Sequence, residues 1–138
     1  TTFSPRADTT RGMIVTILAR LDGERTGGTP WYAAGRDWAM RNGISDGTNM
    51  EGKITREQLA AMLYRYADKA GFDISAFASL DGYADASSVS GWAKEAMQWA
   101  VGAGLINGRT ATTLAPQGNA TRAEVASILM RFMQKYTK

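Results

Sequence analysis

The chain has 138 residues, 16 Lys plus Arg against 13 Asp plus Glu, no His, no Cys and 44% apolar residues, which fits one domain of ordinary size. Without His there is no Ser-His-Asp or Cys-His triad and no imidazole metal ligand, and without Cys there is no disulfide, thiolate zinc site or thiol nucleophile. The net charge of +3 is mild, but 11 of the 16 cations are Arg, the side chain suited to bidentate contact with multi-oxygen anions, which raises a polyanionic partner as a hypothesis.

In chain order, Thr10-Arg11-Gly12-Met13 opens a first helix pattern with apolar Ile14, Ile17, Leu18 and Leu21. Its apolar run ends at Arg20 and is too short to span a bilayer, and with no charged leader or cleavage site at the N-terminus the chain reads as a processed or trimmed piece. Trp31 and Trp38, seven residues apart, fall on one face of a second predicted helix, which Gly43 stops in the left-handed conformation. Thr55-Arg56-Glu57-Gln58 then opens a third helix with Leu59, Met62, Leu63 and Tyr66 on its buried stripe. An apolar connector from Gly71 to Ser88 carries Phe72, Ile74, Phe77 and Leu80. A fourth helix follows with Trp92, Ala96, Trp99, Ala100 and Ala103, closed by Gly104. After the loop from Arg109 to Ala120, Thr121-Arg122-Ala123-Glu124 opens the fifth, with Val125, Ile128, Leu129 and Phe132.

These elements are copies of one unit. The Thr-Arg blocks recur at offsets of 45 and 66 residues, each with another Arg nine positions on (Arg20, Arg65, Arg131), and the Trp-Trp-Ala-Gly-Gly block recurs at an offset of 61. The unit is helix, Gly-rich turn and loop, helix. It predicts a C-terminal half of a first module at 1–24, a second module at 25–70 and a third at 71–138, together one compact all-α domain. The first unit lacks its front helix, so its surviving helix is expected to expose apolar surface, to be covered by the other units, or to pair with a segment outside this sequence.

Thr10, Thr55 and Thr121 fit N-caps, with Gln58 and Glu124 completing capping boxes. A cation at the first helical position faces the positive end of the dipole, at a cost of roughly 0.3–1 kcal/mol unless an anion sits beside it. Two partners are open for these Arg: an internal carboxylate such as Glu57 or Glu124, or an anionic ligand at the helix N-terminus. The Trp pairs are likewise open between core residues and sugar-stacking platforms.

The blocks resemble the S-layer homology family, the modules by which bacterial surface proteins attach to the cell wall. Ala120-Thr121-Arg122-Ala123-Glu124, Ile54-Thr55-Arg56-Glu57-Gln58 and the weaker Thr9-Thr10-Arg11-Gly12-Met13 match its second helix. Phe3-Ser4-Pro5 and Leu114-Ala115-Pro116 match its loop, and Tyr83-Ala84-Asp85 its opening. The resemblance implies tandem modules in a pseudo-threefold helical bundle with grooves between neighbours. It further implies a non-catalytic anchor, without cofactor or metal, for an anionic secondary cell-wall polysaccharide linked to peptidoglycan and commonly capped by a pyruvate ketal. Carried over residue by residue, it assigns ligand binding to Arg56 and Arg122 first and then Arg11, with Trp38, Trp99, Gly43 and Gly104 as supporting lining. The second unit has a short loop at Thr48 to Lys53 without Phe-x-Pro, and the first lacks its front half, so one or two competent grooves are expected.

The competing readings are a helical protein-protein scaffold, in which the incomplete first unit binds a partner segment, and a basic nucleic-acid-binding domain. Neither nucleic acid nor membrane insertion is expected. Gly43-Ile44-Ser45-Asp46-Gly47 has the nucleophile-elbow pattern but no His or preceding strand to serve it. Asp81 and Asp85 read as a polar turn rather than a Ca²⁺ loop.

Overall fold

The computed structural model describes residues 7–136. Five helices follow one another: α1 (Arg11–Leu21), α2 (Ala33–Arg41), α3 (Arg56–Lys69), α4 (Lys94–Gly102) and α5 (Arg122–Tyr136), with short 3₁₀ turns at Ala86–Ser88 and Gly91–Ala93. The fold is all-α. The Phe3-Ser4-Pro5 match lies outside the described residues.

Helices α1, α3 and α5 begin alike because their caps are alike. Thr10 Oγ1 accepts from Met13 N, while Thr55 with Gln58 and Thr121 with Glu124 form reciprocal capping boxes. The segments entering these helices then close a triangle of backbone hydrogen bonds. Thr9 N donates to Ala120 O (3.0 Å), Ala120 N to Ile54 O (2.9 Å) and Ile54 N to Thr9 O (2.8 Å). The first helical N–H of each helix is satisfied by the neighbouring entry segment, in the bonds Arg11 N to Gly52 O, Arg56 N to Gly118 O and Arg122 N to Ala7 O. This cyclic exchange is the pseudo-threefold element of the fold, and it sets the three Arg at equivalent places around one axis.

The entry loops of α3 and α5 repeat even their strained residue. Asn49 in the short loop and Ala115 in the long one both sit at positive φ, 53° and 51°, each accepting from the Gly three residues on. At Ala115 that conformation is steadied by Asp85, whose carboxylate accepts from Leu114 N and Ala115 N at 2.8 and 2.9 Å. Asp85 is thus a loop clamp. The shortened loop of the second unit ends in the same turn as the long one.

Front helices pack on the second helix of the unit before them: α2 lies along α1 and α4 along α3. The surviving helix of the first unit is therefore covered, with Ile14, Val15, Leu18 and Ala19 buried. The helix without such a partner among the described residues is α5, at the other end of the chain. Of the three outcomes open for α1 from sequence, cover by another unit is the one found, because the pairing runs between units.

The approach of α2 to α1 is set by Gly35, where a β-carbon would lie 2.9 Å from Thr16 Cα. Gly35→Ala is expected to cost about 1–3 kcal/mol through overpacking despite its gain in helix propensity. A urea midpoint unchanged or raised would show that α2 slides freely.

Inside, Trp38, Trp99, Phe132, Leu63 and Ile54 fill one core. Tyr66 is its hub, 5.9 Å from the rings of both Trp38 and Phe132.

Candidate functional site

Two equivalent grooves open where a Thr-Arg helix start meets the Gly turn of the following unit. The first, about 300 Å³, is lined by Arg11, Ser45, Asp46, Gln58, Arg65 and Trp92. The second, about 330 Å³, is lined by Arg56, Asn107, Glu124, Ser127, Ile128 and Arg131. The repeat offsets superpose Arg11 on Arg56, Asp46 on Asn107, Gln58 on Glu124 and Arg65 on Arg131.

The Gly turns are built by Gly43 and Gly104, which end α2 and α4 at φ 70° and 77°. These values favour glycine, as a β-carbon strains the left-handed region. Neither glycine is among the lining residues of the grooves. Instead they turn the chain so that the next carbonyl faces the groove, where Arg65 Nη1 donates to Ile44 O (3.1 Å) and Arg131 Nη1 to Leu105 O (3.2 Å). Arg65 and Arg131 were not among the sequence-assigned site residues. Their signal was the Arg recurring nine positions after each Thr-Arg.

The entrance Arg are held differently in the two grooves. Arg11 Nε donates to Thr48 O at 3.2 Å and its Nη2 reaches Asp46 only at 3.4 Å, across an exposed carboxylate. That carboxylate is chiefly engaged by the hydroxyl and N–H of Thr48, which hold it below the usual range. Arg56 is 3% exposed and bonded through each of its three nitrogens: Nε donates to Leu114 O (2.8 Å), Nη2 to Asn107 O, and Nη1 to Glu124 (2.8 Å). Burial pushes the Glu124 carboxyl up, but the Thr121 N–H and the Arg109 and Arg56 guanidinia outweigh it, leaving it below its ordinary value. Of the two partners open for the Arg, the internal carboxylate is the one Arg56 has. In the first groove the corresponding residue is the neutral Gln58.

Arg122 stands apart from both. Its backbone N–H is bonded, but its Nε is sealed from solvent with no partner, and the neighbouring hollow, lined by Met13, Ile17 and Leu129, is apolar.

The tryptophans divide within each pair rather than sharing a face. Trp38 and Trp99 are each 1% exposed, with Nε1 donating to Asp22 (3.0 Å) and Tyr136 Oη (3.2 Å). They are core residues with no ring face free for a ligand. Trp31 and Trp92 precede α2 and α4 and are 49% and 57% exposed. The aromatic at the rim of the first groove is Trp92.

Fold and grooves define a helical repeat domain with built cationic clefts. Residues 82–126 match the S-layer homology domain. The chain is 34% identical to exoglucanase XynX of Acetivibrio thermocellus over 76% of its length and 10% of the relative's. It is 31% identical to amylopullulanase of Thermoanaerobacterium thermosulfurigenes (76% and 6%) and to an endoglucanase of Bacillus sp. strain KSM-635 (98% and 16%). It therefore spans a sixth or less of these relatives. An undecaheme cytochrome from the S-layer of Carboxydothermus ferrireducens shares the fold, with a TM-score of 0.64 at 23% identity over 99% of this chain and 18% of that one. Residues 82–126 belong to the S-layer homology family, and the chain is placed at the bacterial cell surface. No helix among the described residues is long and apolar enough to cross a membrane.

Proposed function

We propose that this chain is a non-covalent cell-wall anchor that holds an anionic secondary cell-wall polysaccharide, with its pyruvate ketal in the groove between Arg11 and Arg65. The observation that carries this reading is the first groove itself. Two Arg on opposite sides converge on a cleft with an exposed Trp at its rim and a neutral Gln58 where the second groove has a carboxylate. A ketal carboxylate suits the guanidinium fork, and the sugar that bears it offers an apolar face to Trp92. The second groove is the weaker site because Glu124 already occupies Arg56. This reverses the order assigned from sequence, which put Arg56 and Arg122 ahead of Arg11. The relatives fit a tethering role, since their names are those of polysaccharide-degrading enzymes and this chain covers only a small part of each.

The test is sedimentation with purified wall sacculi before and after chemical removal of the wall polysaccharide. Arg11→Ala with Arg65→Ala is expected to weaken binding by about tenfold or more, the loss of one or two charged hydrogen bonds. Binding that survives polymer removal, or is unchanged in the double variant, overturns the reading. Salt-sensitive binding to duplex DNA of equal strength supports the nucleic-acid alternative instead.

A further inference from the structure

The sequence holds two Asn-Gly pairs, Asn42-Gly43 and Asn107-Gly108, and the fold treats them differently. Asparagine is a labile residue, most of all before glycine, where no β-carbon keeps the next amide nitrogen away from the side-chain carbonyl. The reaction needs that nitrogen unbonded and the side chain free to turn onto it.

At Asn42 neither condition holds. It caps the C-terminal end of α2, its Nδ2 donates to Trp38 O (2.8 Å), and Gly43 N donates to Met40 O (3.3 Å). At Asn107 both conditions hold among the described residues. It is exposed in the irregular segment after α4, its side chain makes no hydrogen bond, and Gly108 N has no acceptor. The first groove shows what is missing. There Gly47 N donates to Ser45 Oγ (3.2 Å), whereas the residue in the place of Ser45 is Ile106, which has no side-chain acceptor to offer.

Arg56 favours the same reaction. Its Nη2 donates to Asn107 O, the carbonyl of the peptide whose nitrogen is Gly108 N. A cation bonded to that oxygen stabilises the deprotonated amide, which is the nucleophile. The glycine itself is fixed by packing, since a β-carbon at 108 would lie 2.3 Å from Thr110 O and 2.8 Å from Thr113 O. The fold therefore requires the pair and leaves it unprotected.

We propose that Asn107 is a site of spontaneous modification that deamidates in the folded chain while Asn42 stays intact. Gly108 N loses its proton to solvent base and bonds to Asn107 Cγ. The side-chain nitrogen takes up a proton and leaves as ammonia, and a five-membered succinimide remains. Water then adds to either ring carbonyl and breaks its bond to the ring nitrogen, leaving aspartate or isoaspartate. One water enters, one ammonia leaves, and nothing is oxidised or reduced. The aspartate product repeats Asp46, which stands at this place in the first groove, so the repeat already accommodates the carboxylate. It adds a negative charge to the groove that Glu124 also lines. That this weakens the groove for an anion rests on the anchoring function proposed above; the modification does not.

The test keeps the full chain in mildly alkaline buffer, native or in urea, and follows amide-to-acid conversion at each Asn by mass spectrometry of peptide digests. In the folded chain Asn107 is expected to convert about tenfold or more faster than Asn42, the protection that one or two formed hydrogen bonds provide. In urea, where neither pair is held by the fold, the two rates are expected to agree within about twofold. Equal rates in the folded chain overturn the proposal. So does a folded Asn107 no faster than Asn49 or Asn119, neither of which precedes glycine. Ion exchange supplies an independent readout. Aged protein should accumulate a more acidic form that elutes with Asn107→Asp, and Asn107→Gln, which would have to close a larger ring, should not accumulate it. An acidic form that builds up equally in Asn107→Gln assigns the reaction elsewhere and overturns the site. Wall binding enters none of these readouts, so the modification and the anchoring function stand or fall separately.

Discussion

Truncating either buried tryptophan, Trp38→Ala or Trp99→Ala, is expected to destabilise the domain by about 3–5 kcal/mol, a fall in melting temperature of about 10 °C or more. Each ring packs against a tyrosine, Trp38 on Tyr66 at 5.9 Å and Trp99 on Tyr64 at 5.3 Å, and each indole N–H is satisfied. Loss of Trp38 also strips Asp22 of one of the two bonds that, with the Lys69 charge, hold its carboxyl low against burial. The outer tryptophans give the opposite pattern. Trp31→Ala and Trp92→Ala are expected to shift stability by about 0.5 kcal/mol or less, as exposed side chains do, while Trp92→Ala weakens wall binding. Equal destabilisation by all four substitutions would mean that Trp92 packs in the core rather than forming a rim.

That contrast marks where sequence was legible and where it stopped. Periodicity and caps located α1, α3 and α5, because a capping Thr and an apolar stripe are local features. Trp spacing misled, because seven residues describe one face only if both residues lie within the helix. Trp31 lies before α2, and Trp92 sits in a 3₁₀ turn. Which helix covers which was also hidden: the neighbour of α1 comes from the next unit, and no local pattern states that. The repeated Arg was legible as a question but not as an answer. Arg11, Arg56 and Arg122 look alike in sequence, and their difference is set by residues far along the chain: Asp46 for the first, Glu124 and Leu114 for the second, no acceptor for the Nε of the third.

Arg56→Ala is expected to cost about 3 kcal/mol, because it leaves two carbonyls and a carboxylate short of a buried cation. The figure sits at the low end for a broken buried pair, since Glu124 keeps Arg109 at 2.7 Å and part of its solvent contact. The cost should also depend on pH in a definite sense. The folded Glu124 carboxyl lies below its ordinary value, so its stabilising contribution is complete above the unfolded carboxylate pKa of about 4.3 and is lost as pH falls through the lower folded value. Urea denaturation at pH 7 should therefore separate parent and Arg56→Ala widely, and at an acid pH below the lowered folded Glu124 value much less, because protonation of Glu124 there removes the pairing. A gap of equal size at both pH values would assign the role of Arg56 to Leu114 O, Asn107 O and packing rather than to the ion pair. The same carboxylate sets the ranking of the grooves. Glu124 is already paired with Arg56 at 2.8 Å, so under the proposed anchoring role the second groove is the weaker site for an anion. Gln58 carries no charge, and Arg11 meets instead the exposed Asp46 at 3.4 Å, so it is the more loosely held of the two.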